Sequence, residues 1–487
     1  MSQSLPPINH APFSLEEIAR ATDGTIICGE PTLQLRGVAT DTRAMPPADA
    51  EHGSLFIALR GENFDGHQFL PKAQHLGARA ALIENEEDAP AELALVRVQS
   101  TLTALGDLAR AHRRKFAGPV IGVTGSYGKT TTRSLIVAAL NADQSTSSRV
   151  LETQGNFNNE IGVPLTLLGI DSSAHNFAVV EMAMRGAGEI DYLAKVAEPT
   201  IGVITNIGPQ HVERLGNLDA IAAAKAELID RLPPDGIAIL PADDKYFDWL
   251  KQRAKCRVVS FGHSQHADYR VADVQTNSNG TVAFTLLTPH SSLLTPHLPL
   301  PGAHNATNAA AAMAVACECG VKPEDAAHGL AAVEIPGARM RVCRNQSRDL
   351  FLIDDCYNAG PDSMRAALEV LWSAPIERRR VAILGAMKEL GDWAEREHRA
   401  LGEAVASGAK VLLAVGPETL WTCATASQIA PNLDVYWCQS AKGAADIANL
   451  VVRPGDAILV KGSRSIGLEI VVEALLKDAA PASEETP

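Results

Sequence analysis

The sequence lacks any apolar run of the roughly 18 residues that a membrane-spanning helix needs, and its first thirty residues show no basic segment followed by an apolar one. Neither a membrane span nor a secretory signal is therefore predicted. Cysteine is scarce as well, with 8 in 487 residues, which is too few for a disulfide scaffold. Together these absences predict a cytoplasmic chain whose thiols stay free.

Basic charge is also in short supply, since 43 Lys and Arg face 57 Asp and Glu and leave a formal net charge of −14. Binding to DNA or RNA is not expected, because a nucleic-acid surface requires a basic patch that displaces counterions. Hydrophobic residues at 46% and charged residues at 21% are ordinary for globular proteins. At about 150 residues per domain, the length favours three domains.

Strand and helix patterns divide the chain into three segments and a short tail. Residues 1–117 contain two α/β stretches, residues 118–335 alternate continuous apolar strands with helices, and residues 336–478 repeat that alternation. Such strands predict parallel sheets covered on both faces, so we expect an α/β protein with a small N-terminal domain, a central parallel-sheet domain and a C-terminal Rossmann-like domain. The stretch from Ser260 to Leu300, with a turn at Asn279-Gly280, is predicted as a β-rich excursion of the central domain, and residues 479–487 as a frayed tail.

A phosphate-binding loop is predicted where the strand PVIGV runs into TGSYGKTTTR. Glycines between a buried strand and a helix N-terminus leave backbone N–H groups facing a bound polyanion, which suits the phosphates of ATP. Lys129 would reach the β- and γ-phosphates, and the Thr130 hydroxyl would bind Mg²⁺. Five residues rather than four separate Gly122 from Gly128, so the loop departs from the strict phosphate-loop spacing. The predicted ATP-binding residues here are Gly125, Ser126, Tyr127, Gly128, Lys129, Thr130 and Thr131.

Five more stretches follow the loop in a fixed order, namely GNFNNEIGVPLTLL, EMAMRGAGEI, TNIGPQHVERLG, AKAEL and GAHNATN. In that order and spacing they resemble the Mur ligase family of ATP-dependent peptide synthetases. IDDCYNAGPDSM and VKGSRSIGLE in the third segment, with DTR and LFIALRGENFDGHQF in the first, are similar to the family member that adds D-alanyl-D-alanine to UDP-N-acetylmuramoyl-tripeptide. The likeness spans roughly residues 12–475.

The resemblance implies an ATP-dependent amide ligase of peptidoglycan precursor synthesis that works through an acyl phosphate. Its implied domain roles are UDP-sugar binding in residues 1–117, ATP binding in residues 118–335 and D-alanyl-D-alanine binding in residues 336–478. Domain closure about a hinge near Glu334 to Gly337 would bring the three substrates together. A monomer is expected.

The resemblance further implies two Mg²⁺ ions and a modified lysine. Thr130 and the phosphates would hold one ion, while Glu181, His211 and a carbamylated Lys225 would hold the other. Lys225 falls inside the apolar stripe of LDAIAAAKAELIDRL, so an ammonium that snorkels to water remains its alternative interpretation. Arg339 is implied to contact the γ-phosphate, with Arg341 as the competing candidate.

The remaining implied site residues surround the substrates. Asn305 and Asn308 would contact adenine, although asparagine at a helix start is more often a cap. Asp355 would accept hydrogen bonds from the ribose hydroxyls. Lys461 and Arg464 would meet the carboxylate of the dipeptide, with pairing to surface acids as the alternative. The predicted substrate-binding residues are Asp41, Thr42, Arg43, Asn156, Asn158, Asn159, Tyr357, Asn358, Lys461, Ser463 and Arg464. Gly360 departs from the family, whose Tyr-Asn-Ala-Asn pattern ends in Asn.

Two other functions stay open on the sequence alone. One is a related ligase that joins another amino acid to a similar acceptor, including a folylpolyglutamate-type synthetase. The other, of a different class, is a P-loop NTPase that acts as a switch. The sequence also leaves open whether the third residue of the acceptor peptide is diaminopimelate or lysine.

Overall fold

The computed structural model describes residues 5–47, 52–61, 64–86, 89–142, 149–277, 281–289, 293–294, 297–335, 337, 339–374 and 377–477. These residues form three sheets flanked by helices, which confirms the predicted α/β fold class. The predicted turn at Asn279-Gly280 and the predicted tail lie outside the described residues. Within the described ranges, none of the helices combines the length and apolar character needed to cross a bilayer.

The first sheet has six strands in the order β1-β3-β4-β5-β6-β2, with parallel pairing from β3 to β6 and antiparallel edges. Its elements are β1 (Pro12–Ser14), α1 (Leu15–Ala21), β2 (Thr25–Cys28), β3 (Gln34–Ala39), β4 (Gly53–Ile57), α2 (Leu70–His75), β5 (Ala78–Ile83) and β6 (Ala94–Arg97). Helix α1 starts at a reciprocal cap, because the Ser14 hydroxyl accepts from Glu17 N while the Glu17 carboxylate accepts from Ser14 N.

Helix α3 (Thr101–Arg113) joins this domain to the next. It packs against α1 on one side and against α5 and α6 of the central domain on the other. A Cβ at Gly106 would come 2.3 Å from the Tyr192 hydroxyl oxygen, so the approach to α6 is close. The buried Arg113 guanidinium donates to the carbonyls of Phe116, Ala197 and Glu198. The first two domains therefore share a packed junction.

The central sheet has ten strands. Seven of them run parallel to one another and lie in the spatial order β8-β9-β7-β10-β11-β12-β13. The strands are β7 (Val120–Thr124), β8 (Val150–Glu152), β9 (Phe177–Glu181), β10 (Ile201–Ile204), β11 (Ile237–Pro241), β12 (Arg257–Gly262), β13 (Tyr269–Thr276), β14 (Thr281–Leu287), β15 (Leu293–Leu294) and β16 (His297–Pro301). The helices are α4 (Lys129–Leu140), α5 (Gly162–Leu168), α6 (Glu189–Ala197), α7 (Val212–Leu215), α8 (Leu218–Asp230), α9 (Phe247–Arg253), α10 (His304–Glu318) and α11 (Pro323–Ala331).

The β-rich stretch after residue 260 extends this same sheet. Strand β13 pairs in parallel with β12 and antiparallel with β14, and β14 pairs with both β15 and β16. Alternate side chains of β14 are buried, among them Phe284 and Leu286, so one face of the antiparallel part covers the core while the other does not.

The third sheet has the order β17-β18-β22-β19-β20-β21, all parallel except the edge strand β17. Its strands are β17 (Arg341–Asn345), β18 (Leu350–Asp355), β19 (Arg380–Gly385), β20 (Val411–Val415), β21 (Asp434–Cys438) and β22 (Ala457–Lys461). Its helices are α12 (Pro361–Ser373), α13 (Ala394–Ala406), α14 (Thr419–Ile429), α15 (Ala441–Val451) and α16 (Glu469–Leu476). In this segment the apolar runs of the sequence predict strands at Leu350–Asp354, Arg380–Leu384, Lys410–Val415 and Asp456–Val460, which correspond to β18, β19, β20 and β22. Both edge strands were missed.

Candidate active site

A cavity of about 750 Å³ opens where the central and C-terminal domains face each other. It lies beyond the carboxyl ends of β7, β9 and β10 on one side and of β18 and β22 on the other, which is where ligands of open α/β sheets bind. Among the described residues, none from the first domain lines it. The predicted site residues that line it are Ser126, Tyr127, Gly128, Lys129, Thr130, Thr131, Asn156, Asn158, Glu181, His211, Asn305, Asn308, Arg339, Asp355, Tyr357, Asn358 and Lys461.

The phosphate loop requires glycine at two positions. Gly125 has φ +148° and Gly128, directly before α4, has φ +76°, both in the region that favours glycine. A Cβ at Gly125 would also lie 1.9 Å from the Thr205 hydroxyl oxygen. The Lys129 ammonium folds over the loop and donates to the carbonyls of Gly125 and Ser126 at 2.8 and 3.1 Å. Burial lowers the pKa of Lys129 from its usual value.

Two side chains that the sequence did not identify hold the loop from β10. Asn206 Oδ1 accepts from Tyr127 N at 2.9 Å, and Asn206 Nδ2 donates to Tyr127 O at 3.0 Å. The Thr205 hydroxyl donates to the same carbonyl at 2.5 Å. The sequence feature that could have identified them is the polar pair Thr205-Asn206 directly after a buried strand, whose carboxyl end lies beside that of β7.

Glu181, at the end of β9, is buried and held at both oxygens. Oε1 accepts from Asn158 Nδ2 at 2.8 Å, and Oε2 accepts from the Thr130 hydroxyl at 2.9 Å. The Arg133 guanidinium lies 3.4 Å from Oε2 and 3.1 Å from a carboxylate oxygen of Glu152, and its side chain is only 1% exposed. Sequence reasoning missed Arg133, although it follows Lys129 by one helical turn and so shares a face of α4 with it.

The donor set around Glu181 fits magnesium. Mg²⁺ prefers oxygen ligands and usually binds through one or two carboxylates together with substrate phosphates. Glu181 and Thr130 supply such oxygens side by side. Within the described ranges there is no group of three or more His, Cys, Asp or Glu side chains that could hold a metal without such help. The arrangement therefore suits an ion that arrives with a nucleotide.

His211 lies across the domain boundary from Glu389. Its Nδ1 donates to the Glu389 carboxylate, and both residues have left-handed backbones, with φ +58° and +63°. Burial, reinforced by the Lys129 and Lys225 ammonium groups, lowers the pKa of His211 although Glu389 opposes the shift. Glu389 was not identified from the sequence, where no spacing relates it to a histidine 178 residues away.

Lys225 lies in the middle of α8 and does not line the cavity. The residue is 2% exposed, so the alternative of an ammonium that snorkels to water is wrong. Burial, and after it the Lys129 ammonium, lower the pKa of Lys225 well below its ordinary value of 10.5. Burial therefore favours the neutral amine at this position.

The two asparagines of GAHNATN lie inside helix α10 rather than at its cap, because the helix already begins at His304. Asn305 Nδ2 donates to Pro301 O at 2.7 Å, and Asn308 Nδ2 donates to Asn305 Oδ1 at 3.0 Å. The interpretation of these residues as N-caps is therefore wrong. Their side chains line the cavity beside Gly128, whose added Cβ would lie 2.9 Å from Asn308 Oδ1.

The C-terminal domain contributes a compact polar cluster. Lys461 Nζ donates to Asp355 Oδ2 at 2.6 Å and to Asn358 O at 2.8 Å, so its partner is a buried acid rather than a surface one. The Arg339 guanidinium stacks on the Tyr357 ring at 3.6 Å from its centroid. Arg341, the competing candidate for Arg339, pairs with Asp354 and does not line the cavity.

Several predicted residues lie elsewhere. Asn159 Oδ1 accepts from Gly162 N at 2.9 Å at the start of α5, and the Ser463 hydroxyl accepts from Lys388 N at 2.9 Å. The exposed Arg464 pairs with Glu469, which agrees with the alternative interpretation that it pairs with a surface acid. In the first domain, the Asp41 carboxylate accepts from Arg43 N and pairs with the Arg43 guanidinium, while the neighbouring Thr42 is buried.

Comparison with known proteins matches three family models along the chain. They are described as the Mur ligase family catalytic domain at residues 34–113, the Mur ligase middle domain at residues 123–316, and the Mur ligase glutamate ligase domain at residues 338–464. The UDP-N-acetylmuramoyl-tripeptide--D-alanyl-D-alanine ligase of Bacillus subtilis is 37% identical over 95% of this chain and 98% of its own length.

Solved structures give the same result. MurF from Acinetobacter baumannii superposes with a TM-score of 0.85 at 32% identity, covering 96% of this chain and all of the other. The MurF ligase from Thermotoga maritima in complex with ADP has a TM-score of 0.77 at 28% identity, covering 90% of this chain and 96% of the other. The similarity extends through all three sheets rather than the phosphate loop alone.

Proposed function

The chain belongs to the Mur ligase family, and we propose that it joins D-alanyl-D-alanine to UDP-N-acetylmuramoyl-tripeptide with ATP, giving the pentapeptide precursor of peptidoglycan, ADP and phosphate. The observation that carries the proposal is a single cavity in which the phosphate loop and Glu181 face Lys461 and Arg339 of the C-terminal domain. The similarity of the whole chain to ligases of that name supports the choice of substrates.

Two displacements complete the reaction. An oxygen of the tripeptide carboxylate attacks the γ-phosphorus of ATP, and ADP leaves. The free amine of the dipeptide then attacks the carbonyl carbon of this acyl phosphate, and phosphate leaves as the amide forms. No protein nucleophile is needed, so the protein contributes mainly by positioning and by neutralising charge.

The first step brings two anions together, and the cations of the site offset their repulsion. Lys129 holds its ammonium over the loop where the β- and γ-phosphates would lie. Arg339, stacked on Tyr357, presents a second cation from the opposite wall of the cavity. Asn305 and Asn308 would bind the base, and Asp355 the ribose.

Magnesium, when bound, would neutralise phosphate charge during the transfer. Thr130, Glu181 and His211 would hold two such ions, together with a carbamate on Lys225. The carbamate forms when the neutral amine adds to carbon dioxide and loses a proton. It would convert a buried base into an anionic oxygen donor, and the strongly lowered pKa of Lys225 supports this modification.

The dipeptide is assigned to the C-terminal domain. Lys461 is the cation of the KGSR loop that reaches the cavity, and Tyr357 and Asn358 lie beside it. The tripeptide would extend past Asn156 and Asn158 toward the first domain, where Asp41, Thr42 and Arg43 would meet the nucleotide sugar. We propose that the enzyme acts as a monomer in the cytoplasm.

A phosphate-release assay tests this function. ATP, UDP-N-acetylmuramoyl-tripeptide and D-alanyl-D-alanine are supplied together, and each is then omitted in turn. Release that requires all three supports the proposal. Phosphate release that requires neither UDP-N-acetylmuramoyl-tripeptide nor D-alanyl-D-alanine would indicate an NTPase switch instead. Phosphate release that requires folate or another amino acid in place of these two substrates would indicate a related ligase. Parallel assays with acceptors carrying diaminopimelate or lysine identify the third residue.

A further inference from the structure

The side chain of Tyr127 leaves the phosphate loop and enters the seam between the central and C-terminal domains. Its ring lies against two glycines, Gly208 after β10 and Gly360 directly before α12. A Cβ at Gly360 would lie 2.8 Å from Tyr127 Cε1 and 3.3 Å from the hydroxyl oxygen. A Cβ at Gly208 would lie 2.6 Å from Tyr127 Cε2 and equally close to an oxygen of Asp362. The ring therefore occupies the space that side chains at both positions would need.

The backbone of Gly360 does not itself require glycine. Its φ of −149° and ψ of 166° are extended values that any residue adopts. The three atoms nearest to an added Cβ all belong to Tyr127. The lack of a side chain at position 360, where the family usually has asparagine, therefore leaves space for the Tyr127 ring of the central domain.

Both partners of this contact are attached to the reaction centre. Asn206 and Thr205 hold the Tyr127 backbone within the phosphate loop. Gly360 follows Tyr357 and Asn358 of the opposite cavity wall and begins α12, which packs against β22, the strand that ends at Lys461. A shift of Gly360 relative to Tyr127 therefore shifts the proposed dipeptide site relative to the phosphates.

We propose that Tyr127 is a positioning residue for the second displacement: its ring, seated on Gly360, sets how the C-terminal domain docks on the phosphate loop. This inference rests on the proposed function. The acyl phosphate forms on the central domain, whereas the amine comes from the C-terminal domain. A displacement of the C-terminal domain at this contact consequently slows the attack of the amine more than it slows formation of the acyl phosphate.

The test begins with Gly360→Ala. The added methyl must move about 0.6 Å to reach an ordinary contact with Tyr127, and displacements of up to about 1 Å cost roughly 10–100-fold in rate. We expect a loss of that size in ligation, with a raised KM for D-alanyl-D-alanine and a KM for ATP within about twofold of wild type. Gly443→Ala on α15 is the matched control, because its Cβ would meet nothing closer than 3.6 Å.

The first displacement is followed separately with hydroxylamine in place of the dipeptide. Its nitrogen attacks the acyl carbonyl, and phosphate leaves as the hydroxamate forms. Hydroxamate yield from Gly360→Ala should stay within about twofold of wild type. Equal losses of hydroxamate and amide product, or a Gly360→Ala variant as active as Gly443→Ala, would overturn the proposal.

The double variant Tyr127→Ala/Gly360→Ala isolates the contact. Removing the ring removes the clash, so the double variant should lose less ligation than the product of the two single losses. Losses that simply multiply would refute the coupling.

Hydrogen exchange of the first-turn amides of α12 gives a readout that is independent of ligation. We expect faster exchange in Gly360→Ala alone than in the double variant, and equal rates would count against the seam. If wild type fails to ligate the named substrates, the proposed function fails while this exchange comparison still judges the contact.

Discussion

Replacing Lys225 with methionine should stabilise the central domain while abolishing ligation. Methionine has nearly the same length as lysine but no charge, and Lys225 is 2% exposed. Its pKa is far below the ordinary value of 10.5 in the folded protein, so the unfolded chain binds one more proton between those two values. Folding is therefore penalised increasingly as pH falls through that window, by about 1.4 kcal/mol per pH unit. The methionine variant escapes this penalty.

Thermal melting between pH 7 and 9.5, in buffer freed of carbon dioxide and without nucleotide, measures the effect. One kcal/mol shifts the Tm of a domain of this size by about 2–4 °C. At pH values above the folded-state pKa of Lys225, wild type should therefore gain about 3–6 °C per pH unit relative to Lys225→Met. Lys195→Met, which removes an exposed lysine from α6, should leave the slope of wild type unchanged. Parallel lines for wild type and Lys225→Met would refute the reasoning, as would a Lys225→Met variant that melts lower at pH 7.

Bicarbonate then separates a carbamate from a merely neutral amine. Because modification occurs only in the folded protein, bicarbonate should raise the Tm of wild type but not of Lys225→Met. Lys225→Ala should be nearly inactive and regain part of its activity with a small carboxylic acid that fills the vacated space. Lys225→Arg should stay inactive, since arginine keeps the charge but cannot form the carbamate. An active Lys225→Arg enzyme would contradict the modification.

Four further substitutions address the cavity and the residues around it. Lys129→Ala should abolish phosphate release without altering the Tm by more than a few degrees, and turnover within a few-fold of wild type would remove Lys129 from the reaction. Lys461→Ala should raise the KM for D-alanyl-D-alanine at least tenfold, whereas substitution of the exposed Arg464 by alanine should change this KM less than threefold. A larger effect of Arg464→Ala than of Lys461→Ala would assign the dipeptide carboxylate to Arg464 instead. Arg133→Met leaves the buried Glu181 and the half-buried Glu152 without their cation and should cost about 3–5 kcal/mol of stability, seen as a lower Tm. An unchanged melting curve would show that the two carboxylates do not depend on Arg133.

Much of the fold was accessible from the sequence because buried parallel strands are continuous apolar runs. In the third sheet, the two strands that the sequence did not predict, β17 and β21, lie at the edges and have no such run. In β21, Tyr436 and Trp437 are partly exposed although they are aromatic, so neither alternation nor a buried run marks the strand. Edge position is a property of the assembled sheet, and five residues of sequence do not contain it.

The candidate site divides in the same way. The motifs and the resemblance predicted the phosphate loop and Glu181 at one site, and the Thr130 hydroxyl does donate to Glu181. The different positions of Lys461 and Arg464 could not be predicted from the sequence, since only two residues lie between a lysine that ends buried β22 and an arginine on an exposed turn. Arg133, Asn206 and Glu389 were missed because their partners come from other elements, and only the fold brings those elements together.

The junction at α3 has a mechanical consequence for an enzyme with three substrates. Arg113 and the close packing at Gly106 tie the first domain to the central one, so a rotation between them would break the two guanidinium hydrogen bonds to Ala197 and Glu198 and open the α3–α6 contact. We therefore expect the first two domains to move together. The proposed closure would then be a single movement of the third domain against this pair. Nucleotide and acceptor would already be aligned when that movement delivers the amine.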